Sequence, residues 1–194
     1  MILIHKATYK DYKMQRRITM KIKGLQDEVC GDYKKTAMQV VFPYCDFKCD
    51  KENGCHMCQN SQLAHEPIIE MPEVQIVQRY LNNPLTKAIV CGGLEPFDSF
   101  SELANFVSAV RNYTDDDIVI YTGYTEEELN DSTKLISLAY SVIRRYPNIY
   151  VKFGRFRPDQ EPHYDEVLGI KLASDNQYAK KVSYETERLN IHNS

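Results

Sequence analysis

Four of the chain's six cysteines lie on one short stretch of sequence. They are Cys45, Cys49, Cys55 and Cys58. Because the sequence shows no secretory signal, this clustering favours metal ligands over a disulfide framework. A structural zinc ribbon joins two cysteine pairs from separate knuckles, whereas a single loop of thiols suits an iron-sulfur cluster, and a cluster with three protein ligands keeps one iron open for chemistry. We therefore favour iron-sulfur binding, with zinc binding and redox-sensing thiols as the alternatives.

The cysteine stretch follows a predicted buried strand. Residues 38–42 (MQVVF) form a short apolar run rich in β-branched side chains, and Pro43 ends it. In parallel α/β folds, functional residues collect just beyond the carboxyl ends of the strands. The cysteines are therefore expected where such a fold builds its site.

A second predicted strand, residues 87–91 (KAIVC), leads directly into Gly92 and Gly93, and Glu95 follows two residues later. Two glycines after a strand let the backbone approach a ligand closely, and the carboxylate can face an ammonium group. The alternative is an ordinary turn from strand to helix with a solvated glutamate.

The cysteine loop resembles the cluster-binding loop of the radical S-adenosylmethionine (radical SAM) enzymes. In that superfamily three cysteines are separated by three and then two residues, and Cys45 and Cys49 match the first two. Six extra residues precede Cys58, whose Cys-Gln-Asn context is similar to the third ligand of the activating-protein branch. The resemblance implies Cys45, Cys49 and Cys58 as the ligands, with Cys55 as the alternate third ligand. A trio of Cys49, Cys55 and Cys58 is the other interpretation.

Three further motifs carry the resemblance. Gly92, Gly93 and Glu95 are similar to the Gly-Gly-Glu-Pro motif that holds the methionine amino group in this superfamily, although Leu94 is inserted here. The turn at residues 121–125 (YTGYT) closely resembles one in the activating protein of the anaerobic ribonucleotide reductase. The third motif consists of two stretches, Gly-Arg-Phe at residues 154–156 and Ser-Asp-Asn-Gln at residues 174–177. Both resemble stretches of the same family, and they occur in the same order along the chain.

Each of the last two stretches, taken alone, is weaker evidence for the resemblance. The family has an acidic residue before the Gly-Arg-Phe of residues 154–156, and this chain has Phe153 there. Arg155 as an ordinary surface residue and Asn176 as a turn former are the alternatives.

The resemblance implies an enzyme with one 4Fe-4S cluster and S-adenosylmethionine as cofactors. Gly92, Gly93 and Glu95 would hold the methionine end, and main-chain groups of Tyr121, Thr122 and Gly123 would line the adenosine. Reductive cleavage would give a 5'-deoxyadenosyl radical, used to generate a glycyl radical on an anaerobic ribonucleotide reductase. A small reductant such as flavodoxin or ferredoxin would supply the electron. The alternatives are a radical SAM enzyme that modifies another peptide or a nucleotide, and a zinc-binding interaction module.

Strands that alternate with helices predict a parallel α/β sheet with right-handed crossovers. Strands are expected near residues 38, 87, 117, 149 and 168, and helices at residues 73–81, 98–113 and 133–146. About five or six βα units are too few for a closed eight-stranded barrel, so we expect the incomplete parallel (βα) barrel of the radical SAM type. The expected division is an N-terminal extension with an edge strand over residues 1–32, a core over 33–178 and a C-terminal tail over 179–194. Within the extension, Ile18, Met20 and Ile22 alternate with polar residues.

The composition sets limits on the partners. A formal net charge of -3 gives no basic field for nucleic acid, and no apolar run approaches the ~20 residues that span a bilayer. We therefore expect neither a nucleic-acid nor a membrane partner, and a cytoplasmic location in which thiols stay reduced.

Overall fold

The computed structural model describes residues 19–183. In chain order, the strands are β1 (Thr19–Ile22), β2 (Gly24–Val29), β3 (Ala37–Phe42), β4 (Ile69–Pro72), β5 (Ala88–Gly93), β6 (Asp117–Tyr121), β7 (Ile149–Phe153), β8 (His163–Asp165), β9 (Ile170–Leu172) and β10 (Tyr178–Lys181). The helices are α1 (Lys48–Asn53), α2 (Glu73–Leu81), α3 (Phe100–Arg111), α4 (Glu126–Asn130) and α5 (Leu135–Ile143), with 3-10 helices at Ser61–His65 and Pro96–Ser99.

The central sheet has six strands in the order β10-β7-β6-β5-β3-β2. Strands β3, β5, β6 and β7 pair in parallel, as the alternation of apolar runs and helices predicted. The two edges are antiparallel, with β2 on β3 and β10 on β7. The parallel strands therefore point their carboxyl ends, and the loops that follow them, to one end of the sheet.

One face of this sheet packs against α2, α3 and α5 and forms the main core. Alternate strand residues such as Phe42, Cys91, Ile120 and Phe153 are fully buried there. The apolar spacing of residues 98–113 predicts a buried stripe on helix α3. Leu103, Phe106, Val107 and Val110 of that stripe are buried in the core, whereas Phe100, its first residue, is half-buried.

On the other face of the sheet, the side chains at the amino ends of the strands differ from those at the carboxyl ends. At the amino ends, small side chains including Ala88, Val90 and Val119 pack against Leu168 and Leu172. At the carboxyl ends, polar side chains of the same face line a cavity. The sheet therefore has one packed face and one face that opens into a site.

Several predicted elements form with nearly the expected bounds. The helix predicted over residues 73–81 is α2, and the strands predicted near residues 117 and 149 are β6 and β7. The helix predicted over 98–113 is divided, because Pro96 begins a 3-10 helix that precedes α3. The helix predicted over 133–146 is confined to α5.

The strand predicted at residues 168–172 does not extend the central sheet. Its second half is β9, which pairs antiparallel with β8 in a separate hairpin. Gly169 has a φ of +71°, and the Asp165 carboxylate accepts hydrogen bonds from the backbone N–H groups of Leu168 and Ala179. The hairpin is therefore held by a side chain that lies outside the predicted strand.

The segment predicted as an N-terminal extension supplies two strands. Met20 and Ile22 are fully buried in β1, which pairs with β4, while β2 forms an edge of the central sheet. Ile18 lies outside the described residues. No helix among residues 19–183 is long and apolar enough to cross a bilayer.

Candidate metal and cofactor site

A cavity of about 650 Å³ lies beyond the carboxyl ends of the parallel strands. This volume falls within the roughly 300–1,000 Å³ of small-molecule sites. Loops after β3, β5, β6 and β7 contribute its walls, together with residues of β9. Every residue that the sequence analysis assigned to a cluster or to S-adenosylmethionine, apart from the alternate Cys55, lines it: Cys45, Cys49, Cys58, Gly92, Gly93, Glu95, Tyr121, Thr122 and Gly123.

The three cysteine ligands that the resemblance implies converge on this cavity. Cys45, Cys49 and Cys58 are all partly buried and line the same space. Cys55 is exposed and does not line it. The geometry therefore supports a site built from Cys45, Cys49 and Cys58.

The surroundings of these thiols suit a metal cluster better than a redox sensor. Burial, with smaller contributions from Glu95, Asp98 and Cys49, raises the pKa of Cys45 to about 12, although the hydrogen bond from the Phe47 N–H acts in the opposite direction. Burial likewise raises the pKa of Cys49, with a contribution from Cys58. Redox-sensing thiols are exposed and have a low pKa, whereas metal binding removes the thiol protons itself.

Backbone N–H groups point at two of the sulfur atoms. The N–H of Phe47 donates to Cys45 Sγ at 3.3 Å, and the backbone of Phe156 hydrogen-bonds Cys49. Such bonds to cluster sulfurs help set the reduction potential of iron-sulfur proteins. The donor set and its surroundings therefore fit a cluster.

The Gly-Gly turn forms the rim beside the cysteines. Gly93 has a φ of +83°, and a Cβ added there would lie 2.4 Å from Val41 Cγ1. Asn60, two residues after Cys58, donates from Nδ2 to the Gly93 carbonyl oxygen at 2.7 Å. The end of the cysteine loop is thus tied to the Gly-Gly turn, and glycine is required at position 93.

Glu95 is buried and joins two loops of the site. Its Oε1 accepts from the Phe97 N–H at 3.1 Å and the Thr122 hydroxyl at 2.8 Å, and its Oε2 accepts from the Gly123 N–H at 2.8 Å. Burial raises the pKa of Glu95 to about 7, although these three donors act in the opposite direction. The carboxylate is therefore not a solvated side chain of a turn, and it holds the β5 and β6 loops together.

The turn after β6 lies close to the second cysteine. A Cβ added to Gly123 would lie 3.8 Å from Cys49 Sγ and 3.6 Å from Glu95 Oε2. The Tyr121 hydroxyl donates to the Asp32 carbonyl oxygen at 2.5 Å, which fixes the side of the cavity near β2. A small residue at position 123 keeps the space beside Cys49 open.

Asp98 holds the beginning of the cysteine loop. Its Oδ2 accepts from the Asp46 N–H at 3.0 Å, and its Oδ1 accepts from the Tyr124 hydroxyl at 2.7 Å. The Tyr124 ring also contacts the Lys48 ammonium, which lies 4.3 Å from its centroid. The first cysteine is therefore anchored to elements that follow both β5 and β6.

Lys152 is a buried residue of the site that the sequence analysis did not assign. It lines the cavity, and its Nζ donates to the Gly154 carbonyl oxygen at 2.8 Å. Burial lowers the pKa of Lys152 to about 8, with Glu95 and Cys49 acting in the opposite direction. The signal in the sequence was a single lysine within the apolar run of β7, between Val151 and Phe153.

Arg155 is buried rather than an ordinary surface residue. Its guanidinium forms two parallel hydrogen bonds with the Glu128 carboxylate, at 2.9 and 3.0 Å. Asn176 donates to the Arg155 carbonyl oxygen at 2.8 Å, and Gly154, with a φ of +95°, leaves no room for a Cβ against the Asn176 carbonyl oxygen. The Gly-Arg-Phe and Asn-Gln stretches therefore pack on each other beside the cavity.

The fold and the site define a mixed α/β protein with a thiol-lined cavity beyond the ends of its parallel strands. A family model described as a 4Fe-4S single cluster domain matches residues 34–164. The chain therefore belongs to the family of 4Fe-4S single cluster domains, and this membership supports a 4Fe-4S cluster as its cofactor. It is also compatible with a redox enzyme. No curated protein and no solved structure matches the chain significantly.

Proposed function

We propose that this chain is a radical SAM enzyme that generates a glycyl radical on an anaerobic ribonucleotide reductase. The observation that carries the proposal is that Cys45, Cys49 and Cys58 line the same cavity as the Gly92-Gly93 rim and the residue 121–123 turn. Three thiols leave one iron of a 4Fe-4S cluster without a protein ligand. The cavity beside them provides the room in which S-adenosylmethionine would bind that iron.

The chemistry of the bound cofactors would be one-electron cleavage of S-adenosylmethionine to methionine and a 5'-deoxyadenosyl radical. The protein supplies the positions of the groups and keeps water out. Gly93 brings backbone close to the cavity, and Glu95 fixes that rim against Gly123. Main-chain groups of Tyr121, Thr122 and Gly123 present donors and acceptors along the wall that we assign to the adenosine.

The proposal extends to the fold and the partners. We propose that the central sheet is a partial barrel of the radical SAM type, whose open side admits a loop of the protein substrate. Flavodoxin or ferredoxin would supply the electron, and the reaction would take place in the cytoplasm. Neither nucleic acid nor a membrane enters the reaction.

Anaerobic reconstitution tests the cofactor and its ligands together. We expect four irons and four labile sulfides per chain, and reductive cleavage of S-adenosylmethionine by the wild type and by Cys55→Ala. The Cys58→Ala variant should lose cleavage. A colourless protein with one bound zinc would instead support the interaction module, and loss of cleavage in Cys55→Ala alone would replace Cys58 as the third ligand.

The substrate is tested separately. The reduced enzyme is mixed with S-adenosylmethionine and an anaerobic ribonucleotide reductase, and electron paramagnetic resonance is used to look for the glycyl doublet. A doublet that requires both proteins supports the proposed substrate. Cleavage of S-adenosylmethionine without a doublet would point to a radical SAM enzyme that acts on another peptide or on a nucleotide.

A further inference from the structure

The residues inserted between the second and the last cysteine form an ordered helix. This helix, α1 (Lys48–Asn53), begins next to Cys49 and ends at Gly54, which has a φ of +65°. The sequence alone does not explain this insertion. Its contacts do, because they lead back to Cys58.

Asp50 accepts hydrogen bonds from the backbone of the loop that leads from α1 to Cys58. Its carbonyl oxygen accepts from the N–H groups of Gly54 and Cys55, the latter at 3.3 Å. Its side-chain Oδ1 accepts from the N–H groups of Met57 at 3.0 Å and Cys58 at 2.9 Å. One residue therefore receives four backbone hydrogen bonds from residues 54–58.

The Asp50 carboxylate is turned inward on a helix that has no fully buried residue. Its side chain is only 11% exposed, whereas the neighbouring Lys51 and Glu52 are exposed. The imidazole of His56 is fully exposed, and its Nδ1 lies 3.5 Å from Asp50 Oδ2. The inward position of the Asp50 carboxylate therefore lets it accept hydrogen bonds from the backbone of the loop.

The same helix is fixed to the far side of the site. Asn53 donates from Nδ2 to the carbonyl oxygens of Cys49 at 2.7 Å and Phe156 at 3.2 Å. Glu52 forms an ion pair with Arg155, with 3.3 Å between Oε1 and Nε. Helix α1 therefore connects the second cysteine, the last cysteine and the segment that follows β7.

We propose that α1 is a brace for the third cluster ligand and that Asp50 is the residue that positions Cys58. This inference rests on the proposed role of Cys58 in binding a cluster. A carboxylate that accepts from backbone N–H groups makes charge-assisted bonds, which are roughly twice as strong as neutral ones. Loss of a group that hydrogen-bonds to a metal ligand and orients it lowers metal affinity by roughly 10- to 100-fold.

The test compares reconstituted wild type with Asp50→Ala, Asp50→Asn and Lys51→Ala. Release of iron to a chelator and loss of labile sulfide are followed anaerobically, without S-adenosylmethionine, and far-UV circular dichroism checks the fold. We expect iron release from Asp50→Ala to be about tenfold faster than from wild type. Asp50→Asn keeps a neutral acceptor and should lie between the two, while Lys51→Ala, on the same helix, should match wild type.

The outcomes separate the two proposals. Equal iron release from wild type and both Asp50 variants would overturn the brace and leave the enzyme class untouched. A wild type that takes up no cluster would instead refute the proposed function. If Asp50→Ala does not fold, Asp50→Asn decides, because the brace requires faster iron release from it than from Lys51→Ala.

Discussion

Replacement of Gly93 by alanine should destabilise the rim of the cavity strongly, whereas the same change at Gly92 should not. Gly93 has a φ of +83°, in a region that costs an L-residue about 1–2 kcal/mol. The new Cβ would also lie 2.4 Å from Val41 Cγ1 and 3.2 Å from Val41 Cα, an overlap of the kind that costs about 1–3 kcal/mol. Together these terms lower the free energy of unfolding by about 2–5 kcal/mol.

Gly92 provides a matched control one residue away. A Cβ there would first meet Tyr121 Cβ at 3.5 Å, which is an ordinary contact. Alanine at a compatible position commonly stabilises a protein by about 0.4–1 kcal/mol, because it restricts the unfolded chain. Gly92→Ala should therefore be as stable as wild type or slightly more stable.

Urea unfolding of the cluster-free protein measures both variants. With a slope of about 1–3 kcal/mol per molar urea, the midpoint of Gly93→Ala should fall by about 1 M or more, with the slope unchanged. Equal midpoints for the two alanine variants would show that the backbone at position 93 relaxes freely. The proposed close approach of the rim to a ligand would then lose its physical basis.

Two further predictions concern stability. Burial, with a smaller contribution from Glu102, raises the pKa of Glu73 from its ordinary 4.5 to about 7. Because the folded protein then binds more protons than the unfolded chain, the free energy of unfolding should fall by up to about 3 kcal/mol between pH 4.5 and 7. Urea unfolding of Glu73→Gln and wild type at pH 5 and at pH 8 measures this. The free energy of unfolding of Glu73→Gln relative to that of wild type should be higher at pH 8 than at pH 5, and an equal difference at both pH values would contradict the prediction. Thr125 and Glu128 form a reciprocal capping box at the start of α4. Thr125→Ala should cost about 1 kcal/mol, whereas Thr125→Ser should keep wild-type stability in the same assay; equal losses in both would rule out the cap.

The sequence was most informative where local pattern and burial agree. Strand β6 formed as expected because residues 117–121 are a short apolar run between turn residues. Helix α2 follows from a proline before its first turn and from a regular apolar stripe. The placement of the cysteine loop beside the Gly-Gly turn followed from the rule that the loops after parallel strands share one end of the sheet.

The sequence was least informative where distant residues decide. The hairpin of β8 and β9 depends on Asp165, which bonds to backbone at Leu168 and Ala179. The importance of Asp50 depends on backbone groups up to eight residues away. Lys152 and Arg155 are buried by loops from several parts of the chain, so their environments could not be read from neighbouring positions.

The two antiparallel strands have a consequence for work with shortened forms. Strand β2 covers the outer side of β3, and β10 covers the outer side of β7. A fragment trimmed to residues 33–178 would lose β1, β2 and most of β10, and it would leave rows of backbone N–H and C=O groups of the central sheet unpaired on both sides. Such bare margins invite other chains to add their own strands. Trimming should therefore produce self-association.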